Sequence, residues 1–137
     1  DYKELKFQNP DELGLWVNSL KDSGVDILHV STRDATDPAF GSHGEKTLAG
    51  WSRDLSGLPV IAVGKVSVNL SMDQAYGDTK DHVADPGPKI QLLENQEADL
   101  LAIGRALIAN PNWVQIVRDQ KWQELKVFDK SQLAELY

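Results

Sequence analysis

Two places in the chain pair a glycine with a basic residue, Gly64-Lys65 and Gly104-Arg105. Each pair follows a short apolar run, Val60-Ile61-Ala62-Val63 in the first case and Leu100-Leu101-Ala102-Ile103 in the second. These residue types suit an anion. Glycine lets phosphate oxygens approach the backbone, the first amides of a following helix point at the negative charge, and an arginine fork can grip it bidentately. The bland alternative is a pair of turn glycines beside an exposed arginine, and spacing alone leaves both readings open.

Other chemistry finds less support. His29, His43 and His82 are scattered, with no i, i+4 pair, and make no case for a metal site. His29 lies in an apolar run and is expected to be packed or hydrogen-bonded, whereas His43 and His82 fall in polar loops and are expected to be exposed. Asp78, Asp81 and Asp85 lack calcium-loop spacing and read as residues that solvate their loop. Ser31, Arg33 and Asp34 follow an apolar run, where a substrate-side contact and a solvated loop fit equally well. With no cysteine, the chain contains no disulfide, thiolate metal site or cysteine nucleophile.

The elements that position these residues alternate. Asn9 and Pro10 open a helix that Gly24 ends, with Leu13, Trp16, Val17 and Leu20 on one face. A strand is expected over Val25–Val30, a helix carrying Leu48, Trp51 and Leu55, and a strand at Val60–Val63. A loop follows, with one short helical turn near Met72. Then come a helix opened by Pro86 or Pro88, carrying Ile90, Leu92 and Leu93, and a strand over Asp99–Ile103. A short helix spans Ala106–Ala109, another carries Trp113, Val114, Ile116 and Val117 facing inward, and the tail turns helical from Ser131 behind a candidate Asp129 cap. Trp16, Trp51 and Trp113 read as packing residues, while Trp122 follows a helix and suits packing or the cover of an exposed patch equally. Three uninterrupted apolar strands separated by helices predict a parallel α/β sheet covered on both faces. Nothing marks a linker, so residues 1–137 read as a single domain.

Composition limits the partners. The 137 residues carry a formal net charge of −7, which disfavours nucleic acid and anionic membranes. No run approaches the roughly 18 apolar residues of a membrane span, and no signal-peptide pattern opens the chain, so a cytoplasmic location is expected. The first residue is Asp1 rather than methionine, as in a chain cut from a longer one.

Glu97-Ala98-Asp99-Leu100-Leu101-Ala102-Ile103, followed by Gly104-Arg105-Ala106-Leu107-Ile108-Ala109-Asn110-Pro111, resembles the last strand and phosphate turn of the Old Yellow Enzyme family of NADH:flavin oxidoreductases. Ser23–Ser31 is similar to that family's sixth strand. Thr47–Trp51 with Leu58–Val66 resembles its next helix and seventh strand, and Phe128–Tyr137 its C-terminal segment. The resemblance runs in order through essentially the whole chain.

It implies the C-terminal part, about strands six to eight, of a (β/α)₈ TIM barrel that holds FMN noncovalently. Such enzymes use NAD(P)H to reduce activated alkenes of the enone type. The family's phosphate site maps onto Gly64, Lys65, Val66, Gly104 and Arg105, chiefly through backbone amides. The family's substrate-binding His/His or His/Asn pair and its proton-donating Tyr would precede Asp1, so no catalytic residue is expected here. The alternatives are another phosphate-binding barrel, such as a sugar-phosphate isomerase, and a noncatalytic fragment that self-associates through its open half-barrel edges.

Overall fold

A computed structural model describes residues 6–75 and 80–135. The chain packs as two compact units, Asp1–Gly64 with Lys89–Ala102, and Lys65–Pro88 with Ile103–Tyr137.

The first unit begins with helix α1 (Pro10–Asp22). Asn9 caps it, its Oδ1 accepting from the Glu12 amide at 2.9 Å, while Glu12 reaches back to accept from the Gln8 amide at 2.9 Å. Gly24, at φ +90°, ends it, and the Gly24 and Val25 amides donate to the carbonyls of Lys21 and Leu20. The strand that follows, β1 (Leu28–Ser31), starts three residues later than its apolar run suggests. Its parallel neighbour is β2 (Val60–Val63), with Leu28 opposite Val60 and Ser31 opposite Val63. Between them, helix α2 (Leu48–Ser56) is capped by Thr47, whose Oγ1 accepts from the Gly50 amide. Glu97 holds that cap by accepting from both the amide and the hydroxyl of Thr47 at 2.8 Å. Helix α4 (Gly87–Glu94) leads to β3 (Leu100–Leu101), which pairs parallel with β2 through Ile61 opposite Leu100. A four-residue helix, α3 (Met72–Ala75), lies in the intervening loop, at the expected place.

The strand order is β1-β2-β3, so the chain steps across the sheet in one direction. Leu28, Val60 and Ala62 are buried with Leu13 and Val17 of α1, Ala49 of α2 and Leu92 of α4. The other sheet face is different. His29 and Leu100, in line with Ile61, are exposed, Leu100 at 53%. The expectation of two covered faces therefore fails among the described residues, because α1, α2 and α4 all pack on one side. His29 is exposed for the same reason, and not packed. Trp16, expected to pack inward, is 52% exposed and touches Phe7 with ring centroids 5.5 Å apart. It lies next to Val17, which takes the buried position on α1.

β3 is held by Asp99 more than by its own length. The Asp99 carboxylate accepts from the Val60 amide at 2.9 Å and from Arg53 Nε at 3.1 Å, and its amide donates to the Val60 carbonyl. The Val60 hydrogen bond, followed by the one from Arg53, keeps the Asp99 carboxyl below its ordinary pKa of 3.8. A lowered carboxylate stabilises the fold above its unfolded pKa, and that contribution is lost as pH falls through the folded value. Urea midpoints measured from about pH 6 down to about pH 3 should therefore decline in the wild type and decline less steeply in Asp99→Asn. Equal slopes would show that Asp99 does not couple protonation to folding.

Candidate functional site

Of the five residues expected to line a phosphate site, Lys65, Val66, Gly104 and Arg105 belong to the second unit, and Gly64 to the first. Gly64 has a structural reason to lack a side chain. A Cβ there would lie 2.6 Å from the Ala35 amide nitrogen and 2.8 Å from the Thr32 carbonyl oxygen. The loop after β1 runs against it, and the Ala35 amide donates to the Gly64 carbonyl at 3.2 Å.

Gly104 is the opposite case. It precedes helix α5 (Arg105–Ala109), a Cβ on it would meet nothing within 4 Å, and its φ of −97° is not left-handed. Neither crowding nor a positive φ requires glycine there. The N-cap position of α5 is Gly104 itself, which makes no side-chain cap hydrogen bond.

The residues after β2 and after β3 meet in one apolar cluster. Val66 and Val68 are buried with Ala106, Trp113 and Leu125, and Ile103, Ile116, Val117 and Trp122 pack around them. Trp113 opens helix α6 (Trp113–Arg118) and donates from Nε1 to Ser67 Oγ at 3.0 Å. Asn110, between α5 and α6, donates to the Ala106 and Lys126 carbonyls and accepts from the Lys126 amide at 2.7 Å. Val114 of α6, expected inward, is 63% exposed, because Trp113 beside it takes the buried position. Asp129 caps the 3₁₀ segment Lys130–Glu135, as expected. Leu136, the expected end of that helix, lies outside the described residues.

Lys65 and Ser67 both have left-handed backbones, at φ +51° and +56°. Two such non-glycine residues on either side of Val66 cost on the order of 1 kcal/mol each and need packing to hold them, which Val66 and the Trp113 hydrogen bond supply. Among the described residues, Lys65 enters no ion pair.

Arg105 does not present an open fork. Its Nη1 lies 3.3 Å from Asp81 Oδ2 and its Nη2 donates to the Leu70 carbonyl. The two side chains are 12% and 7% exposed. Asp81 therefore does not solvate its loop as expected. Its Oδ1 accepts from the Asn69, Leu70 and His82 amides, each at 2.9 Å. Asp85 accepts from the Gly87 amide at the start of α4, and Asp78 lies outside the described residues. His43 and His82 are exposed, as expected.

Asp34 is not a solvated loop residue either. It accepts from Thr36 and pairs with Lys89 at 2.8 Å, where both side chains are largely buried. Burial opposes ionisation of Asp34, but hydrogen bonds from Lys89 and Thr36 outweigh it and leave the carboxyl below its ordinary pKa. Among the described residues no cluster of His, Asp or Glu could hold a metal ion, and no helix is long and apolar enough to cross a membrane.

Comparison with known proteins gives no match to any family model and no significant match among curated proteins.

Two substitutions check this geometry. Gly64→Ala should cost about 2 kcal/mol, because backbone rather than a flexible side chain blocks the methyl group. Asn110→Ala should cost about 1–2 kcal/mol by removing the side-chain hydrogen bonds that hold the Lys126 amide and carbonyl, while the Ala106 carbonyl keeps the Asn110 backbone amide. Chemical denaturation measures both, and losses within about 0.5 kcal/mol would contradict the packing described.

Proposed function

We propose that this chain is the C-terminal part, about strands six to eight, of a (β/α)₈ barrel of the Old Yellow Enzyme kind, and that it supplies the FMN phosphate site of a NAD(P)H-dependent reductase of activated alkenes. The observation that carries this reading is the direction of the sheet. Three parallel strands advance one way, helices cover one face, and the other face bears His29, Ile61 and Leu100. In a barrel, that second face is the interior, filled by side chains from the remaining strands. In a barrel, the turns that follow successive parallel strands lie at the ligand-binding end, and this reading assigns both glycine–basic pairs to that end.

The residues present fit a phosphate monoester. Gly104 leaves room beside the backbone, α5 starts without a side-chain cap, and Lys65 enters no ion pair among the described residues. Backbone amides at Lys65, Val66, Gly104 and Arg105 would hold the phosphate, with Lys65 and Arg105 balancing its charge. FMN, when bound, supplies the hydride chemistry, taking it from NAD(P)H and passing it to an enone-type substrate. The chain's own residues bind and orient the cofactor, and none is assigned a proton or hydride role. The location that suits such an enzyme is the cytoplasm.

A second reading has one observation in its favour. The exposed Leu100 and Ile27, with sheet edges at β1 and β3, would suit self-association of the chain.

The test compares FMN with riboflavin, which lacks the phosphate. The intact protein should bind FMN and be yellow, and Arg105→Ala should weaken FMN at least about tenfold while leaving riboflavin affinity unchanged. A colourless protein would favour a sugar-phosphate barrel. An unchanged FMN affinity in Arg105→Ala would remove Arg105 from the site. Sedimentation of the isolated chain as a monomer would dismiss self-association.

A further inference from the structure

Asp81 occupies the guanidinium that the phosphate reading needs, and the way it is held gives it a role. Its two oxygens are anchored differently. Oδ1 accepts three backbone amides, from Asn69, Leu70 and His82, at 2.9 Å each. Oδ2 faces Arg105 Nη1 at 3.3 Å, longer than the roughly 2.7–2.9 Å of a strong charged hydrogen bond, and the contact is single rather than bidentate. The carboxylate therefore keeps its place without Arg105. Arg105 keeps a second anchor at the Leu70 carbonyl and has further N–H groups in its fork. A looser ionic contact between two independently held partners is one that an outside anion can replace.

We infer that Asp81 sets the affinity of the anion site by competing for Arg105. Its carboxylate stands where a phosphate oxygen would otherwise meet the guanidinium. Binding of a phosphate monoester transfers the Arg105 Nη1 hydrogen bond from Asp81 Oδ2 to a phosphate oxygen, while Asp81 stays on its three amides. The inference rests on the phosphate reading above, and it assigns that site a built-in brake. Two electrostatic effects have the same sign. Asp81 neutralises Arg105 before the ligand arrives, and its charge repels the incoming dianion from a largely buried position where water screens it weakly.

Asp81→Asn separates this role from a structural one. Asparagine keeps an Oδ1 acceptor for the three amides, but its NH₂ group gives Arg105 no partner. In the full chain, titrated with FMN, with riboflavin and with inorganic phosphate, Asp81→Asn should tighten FMN and phosphate roughly fivefold and leave riboflavin unchanged. The gain should vanish in Asp81→Asn/Arg105→Gln, which should match Arg105→Gln alone. A second measurement needs no variant: the Arg105 side-chain Nε and Nη resonances of the wild type should shift on adding FMN and not on adding riboflavin.

The failures are distinguishable. If the wild type binds FMN but Asp81→Asn binds it equally or more weakly, and the Arg105 resonances do not move, Asp81 is only a structural anchor and this inference is overturned. If the wild type ignores FMN but Asp81→Asn gains affinity for inorganic phosphate, the brake stands and the flavin reading falls. If neither protein binds FMN or phosphate, both are overturned.

Discussion

Parallel pairing is the constraint on which the rest of this chain depends. Strands that run the same way cannot be joined by a tight turn, so each return requires a helical crossover. Here the crossovers bring α2 and α4 onto the face already covered by α1, and Leu13, Val17, Ala49, Leu92, Val60 and Ala62 become one core. The same constraint brings the chain out of β2 and β3 at one end of the sheet. Within the second unit, two segments distant in sequence come together, and Val66 and Ala106 are buried in a single cluster.

Carboxylates carry much of the remaining order. The strands are short and β3 has two residues, so ladder hydrogen bonds alone hold little. Asp99 adds an acceptor for Val60, Glu97 secures the cap of α2, Asp34 gathers Thr36 and Lys89, and Asp81 gathers three loop amides and Arg105. A net charge of −7 thus does not mean a uniformly acidic surface. Several of the acidic groups point inward, at backbone N–H groups that would otherwise lack partners, which is the arrangement that makes a buried carboxylate tolerable.

This explains what could be read from the sequence. Local signals were legible: Asn9 and Pro10 start α1, Gly24 ends it, Val60–Val63 is the strand its apolar run suggests, and Met72–Ala75 forms its short turn. Features set by partners far along the chain were not. Asp81 resembles a solvating loop residue because its partner Arg105 is 24 residues away, and Asp34 resembles one because Lys89 lies 55 positions further on. The exposure of His29 and Leu100 was hidden differently. An apolar strand signals two buried faces, yet which face is covered depends on the side to which the helices return, and no residue of the strand records that. Within α1 and α6, an apolar stripe one residue too wide left Trp16 and Val114 on the outside.

The two glycine–basic pairs that first drew attention are alike in sequence and unlike in cause. At Gly64 the backbone of Thr32 and Ala35 occupies the space a side chain would need, so packing accounts for the glycine without any ligand. At Gly104 that space is empty, and the helix behind it begins without a cap. Packing therefore explains one of the two glycines and not the other. The same asymmetry applies to the basic residues. Lys65 sits on a left-handed backbone with no ion pair among the described residues, while Arg105 is already engaged by Asp81 and Leu70. On the proposed reading, an anion would have to compete with Asp81 for Arg105. Its affinity would then depend on how firmly the protein holds Arg105, and less on how many basic residues surround the site.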